Sequence, residues 1–157
     1  MYGKILSITN TSGTIVYTYD ANGNRISKRV GGITTWYVRD ASGNVMATYV
    51  QGDNTKNSGA LTQTEVHVYG SSRLGILNLT VNYTDLTTLA GNVLVRGAKF
   101  FELSNHLGNV LATVTDKKLQ VSAGGVTVDY YRADVASTSD YYPFGMQMPG
   151  RNYNAGN

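Results

Sequence analysis

Apolar and polar residues alternate in short runs from the beginning of the chain, and a period of two is the signature of β-strands. In Thr14-Ile15-Val16-Tyr17-Thr18-Tyr19 one face takes Ile15, Tyr17 and Tyr19 and the other Thr14, Val16 and Thr18, because successive strand side chains point to opposite sides. Residues 25–30 divide into Ile26, Lys28 and Val30 against Arg25, Ser27 and Arg29. That predicts a half-solvated strand whose Arg25, Ser27 and Arg29 face is the wet one. Residues 34–38 and 45–49 are apolar on both faces, which predicts burial. Strands are also expected at 75–83 and 92–96, with space for one helical turn in 84–91. Periodicity is absent from 51–59 and 133–140, both expected as loops.

The connections are more specific than the strands. Asp20-Ala21-Asn22-Gly23-Asn24 recurs twenty residues on as Asp40-Ala41-Ser42-Gly43-Asn44, and again as Asn105-His106-Leu107-Gly108-Asn109. In each, the leading side chain can accept a backbone N–H two residues on, the next two residues make a type I turn, and Gly supplies the left-handed conformation that closes a hairpin. Asn10-Thr11-Ser12-Gly13, Gly31-Gly32 and Ser122-Ala123-Gly124-Gly125 are further turn candidates. The chain therefore reads as all-β, a meander of consecutive antiparallel hairpins in a curved, open sheet. Two strands and two tight turns fit in twenty residues, and such a unit must pair with neighbours to bury anything.

Composition agrees. The 157 residues include 18 Gly and 12 Tyr but only 2 Pro, which suits pleated surface joined by turns. The length allows one domain, 1–157. Thirteen basic residues against ten acidic ones give a net charge of +3, with no dense basic run beyond Lys117-Lys118. This argues against nucleic acid as a partner. With no Cys, disulfide frameworks and thiolate chemistry are excluded. No run is apolar enough for a membrane span, and residues 1–9 lack the pattern of a signal peptide, so none is expected.

Candidate chemistry gives way to plainer readings. Asp20, Asn22 and Asn24 alternate like calcium-loop ligands, but Arg25 and Gly31 stand where such a loop needs Gly and a bidentate Glu. Turn formation is the better reading. His67 and His106 are the only histidines, 39 residues apart, and are taken as a strand residue and a turn residue, not as metal ligands. Glu65 and Glu102, the only glutamates, are taken as solvated strand residues and not as a glycosidase pair. Gly70-Ser71-Ser72-Arg73-Leu74 lacks the second Gly of a nucleophile elbow, and no Gly-Lys-Ser/Thr follows the turn glycines as a phosphate loop would require. The tyrosines are read mainly as cross-strand packing, with carbohydrate stacking as the other use of such faces.

Taken together, Tyr19-Asp20-Ala21-Asn22-Gly23-Asn24-Arg25-Ile26 and Tyr37-Val38-Arg39-Asp40-Ala41-Ser42-Gly43-Asn44-Val45 resemble the YD-repeat signature of Rhs (rearrangement hot spot) proteins. Ser104-Asn105-His106-Leu107-Gly108-Asn109-Val110 is similar to a segment of the Rhs repeat-associated core. Tyr69-Gly70-Ser71-Ser72-Arg73-Leu74-Gly75 and Asp140-Tyr141-Tyr142-Pro143-Phe144-Gly145-Met146 extend the likeness across roughly residues 15 to 150.

The resemblance implies a bacterial shell of wound hairpins that encloses a C-terminal toxin or effector and releases it by self-cleavage in Asp-Pro-containing motifs. It also implies secretion or association with the cell envelope. No Asp-Pro dipeptide occurs here, so self-cleavage is not expected of this chain, which reads as a piece of a longer polypeptide. The expected role is that of a non-enzymatic wall segment without cofactors. Its partners would be the rest of the shell and the effector. Tyr19, Asp20, Gly23, Asn24, Asp40, Gly43, Asn44, Asn105, Gly108 and Asn109 would set hairpin register. Self-association through unpaired sheet edges is expected of the piece alone. The alternative is a cell-surface carbohydrate-binding or adhesion module using Trp36 or the Tyr141-Tyr142 pair; an enzyme dependent on Glu65 or Glu102 is the third class.

Overall fold

A computed structural model describes residues 3–11, 13–85, 87 and 95–156. Among the described residues the strands are β1 (Ser7–Asn10), β2 (Gly13–Tyr19), β3 (Arg25–Val30), β4 (Ile33–Arg39), β5 (Val45–Gln51), β6 (Thr62–Tyr69), β7 (Arg73–Asn82), β8 (Lys99–Ser104), β9 (Val110–Val121), β10 (Tyr130–Tyr141) and β11 (Gln147–Asn154). All eleven lie in one open antiparallel sheet in chain order, β1 to β11. Each strand pairs with the one its own turn delivers, which is the meander the repeated turns predict. A one-turn 3-10 segment, Asn57–Gly59, sits in the expected 51–59 loop. The strand expected at 92–96 and the turn at 84–91 lie largely outside the described residues; Val95 and Arg96 are not in a strand.

The chain divides into two compact units. The first is Met1–His67 with Asn78–Val93, and the second is Val68–Leu77 with Leu94–Asn157.

In the first unit the parity of β2 follows the sequence: Ile15, Tyr17 and Tyr19 are half-buried, and Thr14, Val16 and Thr18 are exposed. In β3 Arg29 is exposed as expected, but at Ile26 and Ser27 the expectation is reversed. Ser27 is 5% exposed and Ile26 37%. The cause is a β-bulge: Thr18 pairs with Ser27 but Tyr19 with Arg25, so β3 carries one extra residue, Ile26. Beyond the bulge, Ser27 joins a row across four strand pairs, Thr18, Ser27, Trp36, Tyr49 and Gln63. Its hydroxyl shares a 2.6 Å hydrogen bond with that of Thr18. Neighbouring strands cover it, while Ile26 is pushed outward.

Residues 34–38 and 45–49 are likewise only partly buried as expected. Ala47 and Thr48 are buried, but Trp36, Val38 and Met46 are exposed. A single-layer sheet has no second layer to cover a strand that is apolar on both faces. Among the described residues the buried apolar ones of this unit are Ala47 and Val81, beside buried Thr62 and Gln63. Tyr49 and Tyr83 meet edge to face at 5.3 Å, and Tyr83 donates its hydroxyl hydrogen to Gln63 Oε1 at 3.2 Å.

In the second unit, the stretch expected as an irregular loop at 133–140 is instead most of β10, paired with β9 on one side and β11 on the other. Its run of Ala, Asp, Ser and Thr has no apolar alternation to announce a strand. Two register shifts against β9, around Val135, absorb the irregularity.

Candidate functional site

The recurring corners are built almost entirely from their own atoms. In the 20–24 corner the Gly23 N–H donates to Asp20 O at 3.1 Å and the Asp20 N–H to Asn24 O at 2.9 Å. This is a type I turn closed by a glycine bulge. The same two bonds form at Asp40, Gly43 and Asn44 (3.1 and 3.0 Å) and at Asn105, Gly108 and Asn109 (3.0 and 3.0 Å). Gly23, Gly43 and Gly108 have φ of 82°, 88° and 84°, the left-handed region that a Cβ disfavours.

The leading side chain braces each corner from outside. Asp20 Oδ1 accepts the Asn24 N–H at 2.8 Å, and Asp20 Oδ2 the Asn24 side-chain amide at 3.1 Å. Asp40 accepts the Ser42 and Asn44 N–H groups and the Asn44 amide at 2.8 to 2.9 Å. These donors favour the ionised form. The Asn24 N–H, opposed by some desolvation, holds the Asp20 carboxyl below the usual range, and the Asn44 amide does the same for Asp40. Asn105 Oδ1 accepts the Leu107 and Asn109 N–H groups at 2.9 and 3.0 Å, without a charge. Tyr19 stands at the strand end before the first corner and donates its hydroxyl hydrogen to Ile5 O at 2.8 Å.

A fourth corner was invisible as a repeat. Tyr142-Pro143-Phe144-Gly145-Met146 makes the same bonds, Gly145 N–H to Tyr142 O at 2.9 Å and Tyr142 N–H to Met146 O at 2.8 Å, with Gly145 at φ 80°. It lacks the Asp or Asn acceptor. Proline supplies the preset φ at the second turn position instead, and Pro143 followed two residues later by Gly145 was the signal that could have found it.

Adjacent corners within each unit touch. A Cβ on Gly43 would lie 3.1 Å from Asn24 Oδ1, and one on Gly145 would lie 3.3 Å from Asn109 Oδ1. Arg39 ties the first pair together: its Nε donates to Arg25 O at 3.0 Å and its Nη1 to Gly43 O at 2.6 Å. The Arg25 guanidinium lies 4.2 Å over the Tyr17 ring. The asparagine closing one corner thus packs on the glycine of the next.

Behind the first three corners sits a second bulge, whose extra residues are Ile26, Met46 and Leu111. All three are exposed aliphatics.

The glutamates correct one sequence reading. The Glu102 side chain is only 12% exposed, held by a forked pair of bonds from Arg73, Nε at 2.9 Å and Nη2 at 2.6 Å. It is no solvated strand residue. The pairing ties Arg73 of the 69–75 segment to Glu102, two residues before the 104–110 segment, and Tyr69, Ser72, Ser104 and His106 line the same open recess of about 400 Å³. Glu65 is more open but engaged, accepting from Thr48 at 3.0 Å and lying 3.3 Å from Nε2 of buried His67.

No family model matches the chain, and no curated protein does. Among solved structures, the chain is similar to a crystal structure of TcdB2-TccC3-TEV, at 10% identity and a TM-score of 0.45, over 91% of this chain and 7% of that one.

Proposed function

We propose that the chain is a length of non-catalytic wall in an Rhs-type β-shell, keeping an enclosed C-terminal toxin or effector from solvent and proteases. The observation that supports this reading most is how the repeated motif spends its chemistry. Asp20, Asp40 and Asn105 turn their side-chain oxygens into their own corners, and Asn24 and Asn44 their side-chain N–H groups. A group fully engaged in holding register is not poised to transfer a proton or bind a substrate. Sheet of this kind satisfies its backbone strand by strand, so a wall extends by adding hairpins.

The test starts from the natural gene product, purified from its producing cells with antibody to this chain. Negative-stain microscopy should show hollow particles, and proteinase K should spare an enclosed polypeptide that becomes digestible once Gly43→Val and Gly108→Val are introduced. Particles without a lumen, or with no protected polypeptide, would refute the wall.

One feature favours the carbohydrate reading instead. Trp36 is 41% exposed beside an open recess of about 370 Å³ bordered by Tyr49, Gln51 and Leu61, so its ring is free to stack on a sugar. Glycan-array binding lost on Trp36→Ala would replace the wall with an adhesion module.

A further inference from the structure

In the second unit β9 and β10 outrun their neighbours. β8 pairs with β9 only over Val110 to Thr115, and β11 pairs with β10 only from Ser137 onward. Beyond those limits the strands have each other alone, through the pairs Lys118–Ala133, Leu119–Arg132, Gln120–Tyr131 and Val121–Tyr130. The result is a two-stranded ribbon ending in the loop 122–129. A ribbon with no third strand is marginal unless anchored. Here the anchors are at its base, where Asp116 accepts the Gly97 N–H and Asp134 accepts the Thr115 hydroxyl hydrogen at 2.7 Å, and at its neck, where the Asp129 N–H donates to Val121 O at 2.9 Å.

The side chains along the ribbon are layered. From Leu119 to Val128 no residue is charged, and the loop presents Val126 at 92% exposure. Next come Tyr130 and Tyr131, 56% and 55% exposed. At their level and below stand Lys117, Lys118 and Arg132, with Lys118 Nζ 6.0 Å from the Tyr131 ring. The three acids of the region are occupied: Asp116 and Asp134 as above, and Asp129 by the Ala123 N–H at 2.7 Å.

We propose that this ribbon is a membrane-surface anchor, seating the uncharged run Ser122 to Val128 at its tip among the headgroups and upper acyl chains of an anionic bilayer. The order of the layers is the argument. An uncharged tip exposing Val126 and Val128, then Asp129 with its carboxylate bonded to the Ala123 N–H of its own loop, then tyrosines and basic residues, matches the depth profile of a lipid interface, where aromatic rings favour the headgroup level and cations meet anionic lipid. The dimensions fit as well. Three strand steps separate Lys118 from Val121, about 10 Å, and interfacial segments sink roughly 5–10 Å. The register gives the ribbon one face of Leu119, Val121 and Tyr130 with Arg132, which offers a lipid interface apolar surface, and another of Lys118, Gln120 and Tyr131. The second is the face a nucleic-acid groove would meet, so duplex DNA is the competing ligand in the test. The anchor does not depend on the wall reading: the wall is tested by a protected polypeptide, the anchor by lipid.

The experiment is co-sedimentation of the full chain with vesicles of phosphatidylcholine alone and with about 30% phosphatidylserine, in 0.15 M salt. Binding is expected on the anionic vesicles. Lys117→Gln with Lys118→Gln should weaken it about thirtyfold, from roughly a fivefold loss per cation, and Val126→Asp should abolish it. Because the chain has no cysteine, Val126→Cys accepts a single environment-sensitive dye, whose emission should shift to the blue on those vesicles. Absence of binding, binding indifferent to Val126→Asp with the dye still in water, or tighter binding to duplex DNA than to the vesicles would each overturn the anchor.

Discussion

The contact between neighbouring corners makes a measurable coupling between Asn24 and Gly43. Gly43→Ala carries two costs. The first is backbone: at φ 88° an L-residue loses about 1–2 kcal/mol relative to glycine. The second is steric, because the new methyl would sit 3.1 Å from Asn24 Oδ1 and displace a side chain whose amide donates to Asp20 at 3.1 Å. Losing one such bond is worth roughly 0.5–1.5 kcal/mol. Gly43→Ala should therefore cost about 2–3 kcal/mol in the native chain but only the backbone part when Asn24 is already alanine. The double-mutant cycle isolates the difference as a coupling of about 0.5–1.5 kcal/mol. Trp36 is the only tryptophan and lies in the first unit, so its fluorescence in urea reports the unfolding of the unit that contains both residues. Additivity of the two substitutions within about 0.3 kcal/mol would refute corner-to-corner packing.

Further outcomes follow from the same geometry. Gly23→Val should lower the melting temperature more than Ala21→Val, since only Gly23 occupies the left-handed region; equal losses would contradict the corner geometry. Gly75→Ala should be destabilising by about 1–3 kcal/mol although its φ is ordinary, because the added methyl meets the Phe100 carbonyl oxygen across the β7–β8 pair; faster amide exchange at Phe101 would report it. Asp53, bound by the Lys56 ammonium and then by Thr55, has its pKa lowered to about 2. A carboxyl depressed on folding stabilises above its unfolded value and loses that contribution as pH falls. The 51–59 loop should thus loosen between about pH 4 and 2, and Lys56→Ala should raise the Asp53 NMR titration midpoint. In solution the chain alone should self-associate through its outer strands β1 and β11; a monodisperse, protease-resistant monomer by light scattering and limited digestion would contradict this.

Ser27 and Ile26 show where reading by alternation stops. A strict period of two assigned Ser27 to water, but one residue of slippage against β2 reverses the assignment, and slippage belongs to a pair of strands and not to either alone. The strand at 130–141 was hidden for a related reason: its polar stretch pairs because β9 and β11 flank it, with no apolar stripe of its own. Arg73 and Glu102 were opaque because their meeting depends on strand register across 29 positions.

The corners were legible because their chemistry is local. Acceptor, turn and glycine lie within five residues, so Asp20 to Asn24 carries its own folding instruction, and repetition of that instruction implies the meander. Only the tertiary structure decided which way the bulged stretch of β3 faces, that Arg73 reaches Glu102, and that Asn24 rests on Gly43. Those outcomes depend on which residues lie opposite across strands, and no single segment holds that information.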